Sequence, residues 1–570
     1  MEKVWRIITE KKSEELSIVE NILYSRGITD KEEINEFLSH KPQKTYSPFS
    51  IKNMIEAVGR IIYHIKKGNK IVISGDYDVD GVTATALLLD FFGDITNNID
   101  YYIPNRFTEG YGLNLEAIKY MKEEMKADLI ITVDNGISSV KEVDYAKELG
   151  LEIIVTDHHN PPEKLPDCLI IDVKQEGDEY PFKELCGCGV AFKLAQAIQK
   201  TLGLPKTILS KLLDLVTLGT ICDIVPLIDE NRTLIKYGLK SINANKRLGI
   251  AILRQILGLK DKEITAGRIG FGLGPCFNAA GRLEDAKHGV QLLLEKDIHK
   301  ATKLAKYLYD LNRERRSVQE AGEKLCKRIV EEKYMDDDFL VLRADEISEG
   351  VIGIVAGKIK DTFYKPTLVV TKSEDGQLKG SGRSISGINI YEEMKTCSDL
   401  FLGFGGHEMA CGFSIEEDKL DELRSRLDFR AKRIRIEKPD IFVPKLNIMA
   451  EISPNELTID LVEEISKLEP YGMSNPKPLF MVKNIKVDTT KTRGCGTDGK
   501  HLKFVGNRDN VNLDGIGFSL TQKYIKIGKP DTVDIAFFVD INEWNGNVKA
   551  QMIIEDFKKT ESIDDRVINS

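Results

Sequence analysis

At 570 residues the chain is too long for one hydrophobic core, so several domains are expected. Its composition, 42% hydrophobic and 30% charged, fits a globular protein, and no apolar run approaches the roughly 18 residues that a bilayer span needs. The net charge of −9 excludes a uniformly basic, nucleic-acid-coating surface; a nucleic-acid enzyme then needs local positive charge or bound cations.

The N-terminus, MEKVWRIITEKKSEEL, is charged throughout and has no signal-peptide core, and the nine scattered cysteines point to reduced thiols. A cytoplasmic protein with no membrane association is expected. Residues 1–45 read as a helical, mixed-charge segment. From residue 70 to 156, short apolar runs (71–73, 101–103, 129–133, 153–155) alternate with amphipathic stretches (82–92, 114–126, 138–149). That alternation predicts a mostly parallel, doubly wound sheet. The pattern is expected to continue through 169–173 and the apolar stretch DLVTLGTICDIVPL at 214–227. Residues 285–334 form a long charged helical region, and a second α/β unit follows at about 338–436. From residue 478, five strand-like runs with polar connections (PLFMVKNIKV, HLKFVG, VNLDGIGF, VDIAFFVDI, VKAQMIIEDF) fit a small OB-like β-barrel.

Three apolar runs of the first region end in acidic residues. VIS leads to Asp76, Asp78 and Asp80; IITV leads to Asp134; IIVT leads to Asp157, His158 and His159. Ligands of open parallel sheets bind outside the carboxyl ends of the strands, so these groups are expected in one crevice, with Asp223 added from a later element. DYDVDG also matches the opening of a calcium-binding EF-hand loop, but the twelfth position is Leu87 where that loop needs a bidentate Glu. Two of only eight histidines stand together at one strand end. A mixed Asp and His set favours a divalent ion of the Mn²⁺ type, and the number of carboxylates exceeds what one ion needs. Two ions about 3.5–4 Å apart would neutralise the set, activate a water and stabilise the oxygens of a phosphoryl displacement.

Other motifs read more plainly. CGCG at 186–189 lacks the second pair of a zinc site and reads as tight loop packing; LNRERR at 311–316 reads as a solvated helix face. GSGRS at 380–384 and GFGGH at 403–407 are weak phosphate cradles singly, but they lie in one region and offer Ser381, Arg383 and His407 to an anion.

With these residues in hand, the chain resembles the DHH phosphoesterase superfamily, and within it the bacterial RecJ single-strand-specific exonucleases. The resemblance runs from about residue 45 to 557 through GDYDVDG, IPNRFTEGYGLN, TVDNG, TDHH, CGCGVAFKL, LGTICDIVPL, FNAAGRL, GVIGIVA, GSGRS and GGHEMACG, in that order. It implies an α/β fold: a doubly wound parallel-sheet DHH domain (46–284) joined by a long helix (285–335) to a second α/β, DHH-associated domain (336–438). An OB-like barrel (439–558) and a tail (559–570) complete it. It implies Asp78, Asp80, Asp134, His158 and Asp223 as ligands of two Mn²⁺ or Mg²⁺ ions. Asp76 and His159 are implied as close supporters, ligating or orienting water and substrate, and form the catalytic group with Asp134. Arg106, Asn278, Arg282, Ser381, Arg383 and His407 are implied as contacts to substrate phosphates.

The implied activity is 5′→3′ hydrolysis of single-stranded DNA in repair and recombination, with a single-strand-binding protein and a helicase as partners. The competing readings are a phosphodiesterase for oligoribonucleotides or dinucleotides and a non-catalytic scaffold holding single-stranded DNA. Cys276, Ser348 and Ser474 stand where family members often carry Arg, His and Gly; the implied metal set is intact.

Overall fold

The computed structural model describes residues 2–9, 16–106, 108–373, 376–544 and 546–560. Thr45–Pro444 form one compact unit, and Lys3–Lys44 join the chain from Lys445 onward in another. The chain opens on β1 (Val4–Ile7), which pairs in parallel with β12 (Lys445–Ile448), and continues through helices Ile18–Ser25 and Lys31–Leu38. Ser17 and Glu20 close the first of these helices with a reciprocal capping box. The segment 1–45, expected to be helical throughout, therefore contributes a strand as well and packs with the C-terminal unit. A four-residue run, VWRI, with mostly exposed side chains carries no period for sequence reading to detect.

In the first unit, β2 (Ile71–Gly75), β3 (Ile99–Tyr102), β4 (Leu129–Val133), β5 (Glu152–Thr156) and β6 (Leu169–Ile171) form an all-parallel sheet in the order β3-β2-β4-β5-β6. Every residue of β2 and β4 is buried, as expected of parallel strands covered on both faces. The order reverses at β2, so β2 and β4 flank the topological switch point where open α/β sheets bind ligands. Helices Val79–Phe92 and Gly187–Leu202 pack on this sheet and share one apolar core with it.

The stretch 214–227 is not a strand. It forms the helix Leu213–Cys222, wedged against Val79–Phe92 and Gly187–Leu202 and buried over most of its length. A helix buried all round has no polar face, and its continuous apolar run then looks like a buried strand.

Helix Ile298–Lys333, 36 residues long, leads to the second sheet. That sheet contains β7 (Leu340–Arg343), β8 (Thr367–Lys372), β9 (Leu378–Arg383), β10 (Phe401–His407) and β11 (Ala410–Ile415), in the order β10-β11-β9-β8-β7. Only β7 and β8 run parallel.

In the second unit the sheet order is β13 (Ala450–Glu451), β14 (Phe480–Val487), β18 (Thr532–Trp544), β19 (Asn547–Lys559), β17 (Val511–Gly517), β16 (His501–Arg508) and β15 (Arg493–Cys495). An added β14–β16 pairing closes β14-β18-β19-β17-β16 into a ring. These five strands are the five runs expected from sequence, and closure removes the edges that five short strands would otherwise expose. The expected tail falls outside the described residues from 561 onward.

Candidate metal centre and phosphate cleft

The acidic groups converge because Asp76, Asp78 and Asp80 follow β2 and Asp134 follows β4 at the switch-point edge, while Asp223 arrives as the C-terminal cap of helix Leu213–Cys222. After β2, Asp78 caps helix Val79–Phe92, its Oδ1 accepting the Asp80 and Gly81 amides at 2.8 and 3.1 Å. This turn needs Gly81, since a Cβ there would lie 2.5 Å from the Asp76 carbonyl oxygen. After β4, Asp134 adopts a left-handed φ of 63°, a conformation that Asp tolerates better than bulky residues. Asp80, 1% exposed, is held from the far side by the Gly187 and Cys188 amides at 2.6 and 2.9 Å, the N-terminus of helix Gly187–Leu202. The CGCG turn is tight, then, because it delivers two amides to a carboxylate; its cysteines are free thiols.

Three sets of ligand atoms lie within 4.8 Å of one another: Asp76, Asp78 and Asp134; Asp80, His158 and Asp223; and Asp134, His158 and His159. His158 Nε2 lies 3.1 Å from Asp134 Oδ1, 3.7 Å from Asp223 Oδ2 and 3.9 Å from Asp80 Oδ2. Burial and the neighbouring His159 push the His158 pKa down to about 3, so its ring is neutral. Burial and mutual repulsion push the carboxyls the other way. Asp80 rises to about 6 and Asp223 to about 9, and Asp76 and Asp134 move well above the ordinary range. Asp76 Oδ1, Asp134 Oδ1 and His158 Nε2 are buried without a hydrogen-bond partner. Crowded acidic groups and an imidazole whose buried atoms lack partners fit a bound cation, which would take the place of the protons the carboxyls otherwise hold. Oxygen and imidazole donors with no thiolate suit Mn²⁺ or Mg²⁺.

His159 is set apart from His158 by Asp157. Asp157 Oδ1 accepts from His159 Nδ1 at 2.7 Å, and its Oδ2 accepts the Ile137 amide at 2.9 Å. Burial alone would raise Asp157 and lower His159; their hydrogen bond and charges outweigh it, so Asp157 stays ionised and His159 rises to about 9. The result is an imidazolium with 42% of its side chain exposed toward solvent, beside a neutral ligand histidine. Sequence reading gives Asp157 no role of its own, although TDHH contains it.

Beside the metal centre lies a cavity of about 750 Å³ lined by Arg106, Tyr111, Arg282, Ser381 and Arg383, with Gly403, Gly405 and Gly412 among its walls. Arg383 Nη1 donates to Ser381 Oγ at 3.1 Å and to the Gly382 carbonyl at 2.7 Å; Arg282 Nη1 donates to the Gly350 carbonyl at 3.0 Å. Burial, then Arg106, Arg315 and Arg383, bring Arg282 down to about 10. Crowded cations bonded to neutral partners make an anion site. Asn278 lies one turn before Arg282 on helix Gly274–Leu283, and His407 ends the exposed edge strand β10; neither lines the cavity.

Tyr111, Arg315 and Asn312 escaped sequence reading. Tyr111 donates its hydroxyl to the Asp134 carbonyl at 3.1 Å, and its ring packs edge-on to His159 and Tyr77. The signal was the tyrosine between two glycines in EGYGLN. Arg315 and Asn312 of LNRERR are buried, not solvated: Arg315 bonds Asn312 Oδ1 at 3.2 and 3.1 Å and Gln319 at 2.9 Å, while Asn312 Nδ2 meets the Cys276 sulfur at 3.5 Å. Only Arg313, Glu314 and Arg316 of that motif face water.

Family models agree with this layout. The DHH family N-terminal domain matches residues 70–220, the DHHA1 domain 336–432 and the RecJ OB domain 448–556. Among curated proteins, the single-stranded-DNA-specific exonuclease RecJ of Salmonella typhimurium is 35% identical over 95% of both chains. The Bacillus subtilis protein of that name is 39% identical over 95% of this chain and 67% of its own. The crystal structure of RecJ in complex with Mn²⁺ from Thermus thermophilus superposes with a TM-score of 0.83 at 29% identity, covering 98% of this chain and 80% of that one. The corresponding Mg²⁺ complex gives 0.77 at 27% identity. A shared three-module layout and identity at this level over nearly the whole length make this chain a member of the RecJ family of DHH phosphoesterases.

Proposed function

We propose that the protein is a metal-dependent exonuclease that hydrolyses single-stranded DNA from the 5′ end, in DNA repair and recombination. The observation that carries this reading is the pairing of a carboxylate–histidine cluster at the switch point with an arginine-lined cavity beside it. Asp78, Asp80, Asp134, His158 and Asp223 would hold two Mn²⁺ or Mg²⁺ ions, which would supply a water of lowered pKa and charge neutralisation at the phosphate. Asp134 belongs to two of the three ligand sets and would be the carboxylate shared between them. Asp76, with its unpartnered Oδ1, orients the attacking water. His159, charged and anchored by Asp157, holds a proton at Nε2 for the leaving oxygen. Arg106, Arg282, Ser381 and Arg383 grip the phosphate next to the scissile bond, and Asn278 and His407 extend that grip along the strand.

We read the domain borders as 46–284, 285–335, 336–438 and 439–558, with the barrel adding single-strand contacts. A single-strand-binding protein and a helicase are the partners this role requires. No helix among the described residues is long and apolar enough to cross a membrane, and we place the protein in the cytoplasm, where its nine free thiols stay reduced.

End-labelled single-stranded DNA, duplex DNA and a dinucleotide, each with Mn²⁺ and with chelator, test the proposal. Stepwise loss of single-stranded DNA only with metal is expected. Cleavage of the dinucleotide alone, or DNA binding without hydrolysis, overturns it.

A further inference from the structure

The loop between β3 and helix Leu115–Glu123 carries two groups that reach the cleft, Arg106 and Tyr111. Neither sits on a strand or a helix. Arg106 stacks its guanidinium 5.3 Å over the Tyr77 ring, and Tyr111 reaches the Asp134 carbonyl. A twelve-residue connection would blur both positions unless something tied it internally.

That tie is Glu109. Its Oε1 accepts the Asn105 amide at 2.9 Å, and the Glu109 amide returns a bond to the Asn105 carbonyl at 2.9 Å. Its Oε2 accepts from the Tyr102 hydroxyl, at the end of β3, and from Asn114 Nδ2 at 3.4 Å. Asn114 is itself fixed as the cap of helix Leu115–Glu123, its side chain accepting the Ala117 amide at 2.7 Å. One half-buried carboxylate thus joins the last residue of the strand, the middle of the loop and the cap of the next helix. Gly110 and Gly112, both at left-handed φ, let the chain turn on either side of Tyr111. Glu109 itself does not line the cavity.

We propose that Glu109 is a positioning residue for substrate: by tying Asn105, Tyr102 and Asn114 together it presents Arg106 and Tyr111 to the nucleic-acid strand before it binds. Pre-ordering of this kind lowers the entropic cost of binding, so its loss falls on KM and not on the chemical step. The inference rests on the reading of Arg106 as a substrate contact.

The test uses the full-length protein at saturating Mn²⁺ and a single-stranded oligonucleotide. Glu109→Ala is expected to raise KM about fivefold with kcat within twofold, leave the Mn²⁺ half-saturation unchanged and speed amide exchange in the loop peptide. Glu109→Gln keeps one acceptor and is expected to show a smaller rise; it replaces the alanine variant should that one fail to fold. In an Arg106→Ala background, Glu109→Ala is expected to add less than twofold, because the group it positions is gone. A normal KM in both Glu109 variants while Arg106→Ala raises it overturns the positioning role and leaves the cleft reading standing. A normal KM in Arg106→Ala as well removes the cleft reading and this proposal with it. A parallel shift in Mn²⁺ half-saturation assigns Glu109 to the metal centre and also overturns the proposal.

Discussion

On one wall of the cleft, five aspartates and a neutral histidine crowd together; on the other, Arg282 and Arg383 crowd with Arg106. Both walls store like-charge repulsion, and in the proposed reading cations relieve it on one side and substrate phosphate on the other. They differ in how the crowding is held. The carboxylates are short and sit at the ends of strands and helices, and two of them are fixed by backbone amides, Asp78 by Asp80 and Gly81 and Asp80 by Gly187 and Cys188. The arginines are long, rest on carbonyls and a serine hydroxyl, and face a floor where Gly403 and Gly405 leave open space. Metal sites tolerate errors of a few tenths of an ångström, whereas a moving strand of DNA needs room. The rigid wall suits the first and the open wall the second.

The comparison breaks most severely at Asp134, the carboxylate common to two ligand sets. Asp134→Ala is expected to lower kcat on the order of 10³-fold or more, beyond the loss of a single preorganised donor, while circular dichroism shows an intact fold. Near-wild-type turnover at saturating Mn²⁺ would rule out the two-ion reading. Asp157→Asn comes next. It removes the charge that holds His159 as imidazolium, with an expected loss of roughly 10- to 100-fold, typical of groups that orient a functional residue. The basic limb of the pH–rate profile should move down from about 9, and NMR titration of the His159 ring checks the cause directly.

The glycines sharpen the contrast between the walls. A Cβ at Gly187 would lie 2.5 Å from the Asp134 Cβ, so Gly187→Ala must push the carboxylate or its helix aside. The expected cost is about 1–3 kcal/mol of stability, as for other overpacked sites, with weaker Mn²⁺ binding in a calorimetric titration. At Gly405 the same methyl meets nothing within 4 Å, and the melting temperature of Gly405→Ala should match wild type. Equal destabilisation by both would mean that the walls are alike.

Much of the rigid wall was legible in sequence because the catalytic edge repeats one pattern, an apolar run ending in acid or imidazole. The five ring strands were legible because turn residues punctuate them at short spacing. Arg106, Arg282, Ser381 and Arg383 of the open wall were legible too, but the residues that support the two walls were harder to read. Arg315 sits in a charged run whose buried stripe shows only once its partner helix, with Cys276, is in place. Residues 214–227 hid a helix because burial on all sides erases amphipathic period. Asp157 and Tyr111 act through hydrogen bonds to neighbours in space, which no local pattern encodes.

The smallest expected effect concerns the stability of the metal-free protein. Asp80 and Asp223 titrate in the folded chain at about 6 and about 9, both above the ordinary carboxylate value of 3.8. Folding therefore takes up protons at these sites, and the stability they permit at low pH is lost as pH rises toward the folded values. His159, raised to about 9 by Asp157, acts in the same direction: its contribution is complete below its ordinary 6.5 and disappears as pH passes 9. His158, lowered to about 3, works the other way only below about 6.5, outside this window. Asp80 has shed its proton below this range, but between pH 7 and 9 the Asp223 and His159 contributions align, and the melting temperature of chelator-treated protein should fall steadily by a few degrees. Bound Mn²⁺ supplies the missing charge and displaces the protons, so the gap between loaded and metal-free protein should widen with pH. A gap that stays constant from pH 7 to 9 would mean that the carboxylates are neutralised by something other than a cation.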